Sequence, residues 1–179
     1  MKPALFFEDV GVLTIPRQNI SQSAPLADRF QVNHDAIASV RRLKAAGFIL
    51  IVASNKPELS RGTISRRELD QAHGLLRQSF SLDDIFICPH DDADRCPCRK
   101  PRDGLFKEAA HKWHLEMERS FVISDKWQDA EAARSLGCTS VLLQSPTIGK
   151  VHRDFLVPNL EAAVDKILHL HGARQFTMA

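Results

Sequence analysis

Short runs of consecutive apolar residues alternate along this chain with longer stretches in which apolar residues recur every three or four positions. The runs Ala4-Leu5-Phe6-Phe7, Phe48-Ile49-Leu50-Ile51-Val52-Ala53, Ile85-Phe86-Ile87, Phe121-Val122-Ile123 and Ser140-Val141-Leu142-Leu143 predict five strands. β-Branched and aromatic runs without polar alternation suit strands covered on both faces, as in parallel sheets. The intervening stretches read as helices. Residues 34–46 set Ile37, Val40, Leu43 and Ala46 on one face, with Gly47 at the C-terminal cap. Ser65-Arg66-Arg67-Glu68 has the pattern of a capping box and opens a helix through Leu69, Ala72, Leu75 and Leu76. Asp103 caps a third helix running to about His114, a fourth follows Asp125 and ends near Gly137, and Asn159 opens a fifth.

Strand and helix in fivefold alternation predict a doubly wound α/β domain, a five-stranded parallel sheet with helices on both faces. It spans residues 1–171, and residues 172–179 read as a C-terminal tail. Ligands of such sheets sit beyond the carboxyl ends of the strands. The segments there are Glu8-Asp9-Val10-Gly11, Ser54-Asn55-Lys56, residues 88–100, and Ser124-Asp125-Lys126.

Composition narrows the setting more than the function. With 179 residues, 44% hydrophobic and 26% charged, the chain suits one domain with a full core. Its longest apolar run, Phe48 to Ala53, falls far short of the roughly 20 residues of a membrane span. The N-terminus lacks a signal-peptide pattern, so the expected location is cytoplasmic. Lys and Arg number 24 against 22 Asp and Glu, with no basic block, so neither nucleic acid nor membrane is an expected partner.

The cysteines stand out, for Cys88, Cys96 and Cys98 fall within eleven residues. With His90 they form a Cys-x-His pair, a short polar loop and a Cys-x-Cys pair, a set that can wrap a tetrahedral Zn²⁺. Four protein ligands leave no open position, so such a metal would be structural. The alternative is a group of surface thiols with a bystander histidine. Cys138, beside Gly137 and a strand, reads as a small core residue.

Asp125 and Asp129 flank Lys126-Trp127-Gln128 after the fourth strand. Facing a carboxylate at the end of the first strand, they suit a Mg²⁺, although acids at a helix N-terminus also answer the helix dipole. Ser54 can hold a phosphate oxygen and Lys100 can neutralise it, or they can be an ordinary strand end and a surface charge.

Together these segments resemble the haloacid dehalogenase (HAD) superfamily of phosphohydrolases. Within it they are similar to the capless, zinc-loop branch of heptose-bisphosphate and histidinol-phosphate phosphatases. The resemblance rests on Val52-Ala53-Ser54-Asn55-Lys56 with Ser60-Arg61-Gly62, on Cys88-Pro89-His90 with Cys96-Pro97-Cys98-Arg99-Lys100-Pro101, and on Ile123-Ser124-Asp125-Lys126-Trp127-Gln128-Asp129. It implies a HAD fold without a large cap and a zinc loop over 88–98. It also implies Ser54 and Lys100 at the reacting phosphate, and substrate contacts from Asn55, Arg61 and Arg99. The implied Mg²⁺ takes Glu8, the Val10 carbonyl and Asp125, with Asp129 in support. The segment Thr14 to Val32, with Arg17, Asn19, Gln22 and Arg29, either lies over the site or is a surface excursion.

The first motif departs from the branch. The family has an aspartate nucleophile and, two residues on, an aspartate acid/base. Phe7-Glu8-Asp9-Val10-Gly11-Val12-Leu13 places Glu8 and Val10 there. Sliding the frame to make Asp9 the nucleophile breaks the Gly11-Val12-Leu13 match and turns the side chain to the other face. An extra methylene at Glu8 shifts the attacking oxygen by about an ångström, which can cost about 10²-fold. Valine carries no proton, which costs about 10²- to 10⁴-fold. The expected reading is a phosphatase-like protein for a small phosphorylated metabolite, slow in turnover. The alternative is a pseudoenzyme that binds a phosphorylated ligand or a partner protein, and a third reading is a transferase or dehalogenase-like activity.

Overall fold

The structure, a computed structural model, describes residues 1–21, 23–146 and 148–177, with side chains described to Ala173. Gln22, singled out above, lies outside the described residues. The chain runs β1 (Ala4–Phe7), β2 (Thr14–Pro16), α1 (Leu26–Arg29), β3 (Phe30–Val32), α2 (Ala36–Ala45), β4 (Ile49–Asn55), α3 (Arg66–Phe80) and β5 (Asp84–Cys88). It continues through α4 (Gly104–Trp113), β6 (Phe121–Ser124), α5 (Trp127–Ser135), β7 (Thr139–Leu143), β8 (Phe155–Val157) and α6 (Leu160–Thr177).

One parallel sheet in the order β5-β4-β1-β6-β7-β8 organises the fold. β1 is central because all four of its residues are buried, which demands cover on both faces. Leu5 and Phe7 join the layer formed with α2, α3 and α6, through residues such as Val40, Leu43, Leu76 and Ile167. Ala4 and Phe6 face the layer of α4 and α5, where Phe6 and Phe106 pack with ring centroids 4.7 Å apart. β1 pairs with β4 on one side and β6 on the other, so the ends of three strands open onto one rim.

The sheet has six strands, not the expected five. β8 is three residues long, and its pairing with β7 is fixed from outside the strand by Asp154, which accepts from the Ser140 N–H and hydroxyl at 2.7 and 2.8 Å. So short a run carries little pattern of its own. α6 also runs past Gly172 to Thr177, where the sequence suggested a tail. His171 is buried there against Phe48, with ring centroids 4.5 Å apart.

The predicted capping box forms, Ser65 and Glu68 bonding each other's backbone N–H. Asp103 precedes α4 but makes no capping bond, its carboxylate turning to Lys107 and Ser135. The segment after β1 folds into an antiparallel β2–β3 hairpin carrying the single turn α1, and α1 contacts α3. Among the described residues there is no cap domain, and no helix is long and apolar enough to cross a membrane.

Candidate active site

The rim is built by residues that leave β1, β4 and β6. Glu8 follows β1 and its N–H still bonds the Ile123 carbonyl at 3.2 Å, so its side chain keeps the register of the sheet. The carboxylate is buried. Ser54 Oγ donates to Glu8 Oε1 at 2.6 Å, and Lys100 Nζ donates to Glu8 Oε2 at 2.7 Å. Lys100 is itself buried and gives its other two N–H bonds to the Ala53 carbonyl and Asp129 Oδ1, both at 2.6 Å. Asp129 is braced in turn by Ser124 Oγ at 2.9 Å. Burial pushes the Glu8 carboxyl up to about 7 against the pull of Lys100. Burial also disfavours the charged Lys100, but Asp129 and Glu8 outweigh it and the lysine holds its proton more tightly than usual.

Asp9 makes different contacts. Its Oδ2 pairs with Lys56 Nζ at 2.6 Å, and its Oδ1 accepts from the Val10 N–H at 2.8 Å and lies 2.8 Å from Ser54 Oγ, whose single proton the Glu8 and Asp9 carboxylates share. Burial alone would raise this carboxyl. The Lys56 charge and the bonds from Glu8 and Ser54 hold it far below the usual carboxylate range. Glu8, not Asp9, is thus the residue in contact with Lys100.

Next to this cluster three oxygens surround a cation. Lys126 Nζ lies 2.9 Å from the Val10 carbonyl, 3.3 Å from Asp125 Oδ1 and 3.9 Å from Glu8 Oε2. These are the three residues expected to hold Mg²⁺, and the ammonium shows that their oxygens face one positive charge. Gly11, at φ +93°, is part of the same cradle, because a Cβ there would stand 2.5 Å from Asp125 Oδ2. A set of carboxylate and carbonyl oxygens suits a hard divalent cation.

The Cys/His loop leaves β5 at Cys88 and returns at Cys98. The ligand atoms of Cys88, His90, Cys96 and Cys98 lie within 4.8 Å of one another. His90 Nδ1 is 3.5 Å from the Cys88 sulfur and 3.3 Å from that of Cys98. Three soft sulfurs and an imidazole, with no fifth donor in the cluster among the described residues, fit a structural Zn²⁺. Burial raises the Cys96 thiol, but bonds from Cys98 and Cys88 bring it down to about 7, toward the thiolate a metal requires. Cys138 is buried in the core.

The three expected substrate contacts are engaged within the chain. Asn55 bonds the Lys100 backbone at both ends of its amide, at 3.1 and 3.0 Å, and so locks the returning loop to β4. Arg61 binds both carboxylate oxygens of Asp91, its Nη2 contact at 2.8 Å. Arg99 binds both oxygens of Asp92 and the His90 carbonyl.

The hairpin, α1 and α3 line a cavity of about 320 Å³ that reaches Asp9, Val10 and Lys56, so the β2–β3 hairpin and α1 stand over this end of the rim. His73 on α3 is part of its wall, and burial holds that imidazole down to about 4. Sequence reasoning named neither the Asp9–Lys56 pair nor His73. The signal for the pair was available, since Ser54 and Lys56 are two apart in an extended segment and so share a face.

A family model described as HAD-hydrolase-like matches residues 97–163. The D-glycero-β-D-manno-heptose-1,7-bisphosphate 7-phosphatase of Helicobacter pylori (strain J99) is 28% identical over 171 residues, covering 92% of this chain and 96% of its own. Its counterpart from Escherichia coli O6:H1 is 29% identical over 181 residues, covering 93% and 89%. The crystal structure of D,D-heptose 1,7-bisphosphate phosphatase from B. bronchiseptica, complexed with magnesium and phosphate, matches with a TM-score of 0.78 at 25% identity, covering 95% of this chain and 99% of that one. A HAD phosphatase from Thermococcus onnurineus shares the fold at a TM-score of 0.66 and 16% identity. Relatives that span the chain nearly end to end, and a solved phosphatase with the same architecture, make this chain similar to HAD-like hydrolases along nearly its whole length.

Proposed function

We propose that this protein binds a small phosphorylated metabolite and hydrolyses the phosphomonoester slowly. The observation that carries the reading is the Glu8 carboxylate, held by Ser54 and Lys100 at the end of the central strand, two residues before a valine. Glu8 attacks phosphorus in line; its new P–O bond forms as the bond to the leaving alkoxide breaks, and water then cleaves the acyl phosphate. Lys100 and Ser54 position the attacking carboxylate and draw on the charge that builds on the phosphoryl oxygens. Glu8, the Val10 carbonyl and Asp125 would hold Mg²⁺, which supplies further neutralisation of that charge when bound. Val10 contributes only its carbonyl. The alkoxide therefore takes its proton from solvent, and the attacking water has no side-chain base at this position.

A second reading, binding without turnover, is favoured by that same valine. Phosphate release from a panel of sugar phosphates and aromatic phosphate monoesters with Mg²⁺, for the wild type and Glu8→Asp/Val10→Asp, separates the two. Wild-type release well below about 1 s⁻¹ that rises by orders of magnitude in the double variant supports the slow hydrolase. A wild type with no release above background, restored by the double variant, supports the binding protein. Silence in both overturns the assignment of the rim to phosphate chemistry.

A further inference from the structure

We infer that the cavity beneath the β2–β3 hairpin is a specificity pocket for an apolar group, so that the ligand is a phosphate monoester carrying a ring-sized apolar substituent. The inference rests on the reading of the rim as a phosphate site and names a substrate class for it.

Position comes first. The cavity is bounded by Asp9 and Val10, so it begins one residue beyond Glu8. Its volume, about 320 Å³, is at the small end of the range for small-molecule sites. Leu26 and Phe30 line it from the hairpin side, and Leu69 and Leu76 from α3. Val10 also lines the adjoining cavity of about 270 Å³, again with Leu26 and Phe30. The residue that replaces the family's acid/base thus extends an apolar wall, where a carboxylate would have left a charge against it. The substitution that removes a proton carrier completes a binding surface.

Charge points the same way. At the inner end the Lys56 and Asp9 charges cancel across 2.6 Å. Arg61 and Arg99, expected as substrate contacts, are tied to Asp91 and Asp92 of the zinc loop. Arg17 lines both cavities and Arg29 the smaller one, whose wall also holds Glu58. Arg17 stands at the hairpin side of the larger cavity, while the leucines of α3 and the hairpin's Leu26 and Phe30 give an apolar group its contacts.

The test is titration calorimetry on the full chain with Mg²⁺, using phosphonates, which cannot be hydrolysed. Methylphosphonate reports the phosphate rim alone, 1-naphthylmethylphosphonate adds the apolar ring, and butane-1,4-bisphosphonate adds a second anion. The expected result is a naphthyl ligand at least about tenfold tighter than methylphosphonate, from the apolar area it removes from water. The bisphosphonate is expected to bind no tighter than methylphosphonate. In Ala72→Phe, which fills the cavity from α3, the naphthyl-to-methyl ratio should fall to about twofold or less. Phe30→Ala, on the hairpin, should lower the same ratio and serves if the first variant does not fold.

Methylphosphonate binding with no naphthyl gain overturns the pocket and leaves the phosphate reading standing. So does a bisphosphonate tighter than the naphthyl ligand, or a naphthyl gain that survives in both variants. Failure of all three ligands to bind overturns the phosphate reading and this inference with it.

Discussion

Replacing Lys56 by methionine strands the Asp9 carboxylate, and the cost can be worked from the contacts. Nζ and Oδ2 are 2.6 Å apart, with the two side chains only 11% and 6% exposed. At an effective dielectric near 20 their attraction is about 6 kcal/mol, most of it offset by the desolvation of both ions. Removing one partner leaves the desolvation of the other uncompensated, which typically costs about 3–5 kcal/mol. The bonds from Ser54 and the Val10 N–H to Oδ1 remain and place the expected loss toward the lower value. Asp9→Asn/Lys56→Met keeps an acceptor for those two donors and removes both charges. It should regain about 2 kcal/mol or more over the single variant. Urea denaturation followed by tryptophan fluorescence gives the three stabilities, and Lys56→Met should melt about 6–15 °C lower than wild type. The gap should narrow in acid, because in Lys56→Met the buried Asp9 gains a proton at a milder pH and sheds its unpaired charge. A Lys56→Met loss below about 1 kcal/mol, or a double variant no more stable than the single, would refute the view of Asp9 as a locked structural ion.

Three further outcomes are expected. Elemental analysis of protein purified without chelator should find one zinc per chain, and Cys96→Ser should lose it together with several degrees of melting temperature. Gly11→Ala should weaken Mg²⁺ binding at least about tenfold and destabilise the chain by about 1–3 kcal/mol, since its Cβ meets Asp125 and its φ is +93°. His73 stays neutral in the fold down to about 4 while the unfolded chain takes up its proton near 6.5, so falling pH across that window favours unfolding. Allowing for the partial exposure of the ring, the loss is roughly 2 kcal/mol, and a His73→Phe variant should lack it in pH-dependent melting.

What the sequence made legible was whatever it encodes locally. Five apolar runs became five of the six strands of the parallel sheet because each is covered on both faces. The capping box and the Cys/His loop were readable because their partners lie within three and eleven residues. β8 was not readable, since its pairing depends on Asp154 reaching Ser140 from outside the strand. Nor was the continuation of α6 past Gly172, where packing of His171 on Phe48 outweighs a glycine's cost of about 1 kcal/mol in a helix. At the site, residue types and rim positions could be named in advance. The pairings could not, because Arg61 with Asp91, Asn55 with Lys100 and Lys126 with Val10 depend on loops that meet only in the folded chain.

Lys100 has three N–H donors and gives all of them to the protein, one each to Glu8, Ala53 and Asp129. A phosphate that draws on this ammonium therefore takes it from an existing partner, and its affinity is a difference between two bonded arrangements rather than the gain of a new one. Such a centre is fully hydrogen-bonded before any ligand arrives. It holds its geometry without help from cargo, and ligands with little to offer beyond the phosphate itself should grip it weakly and raise its melting temperature only slightly.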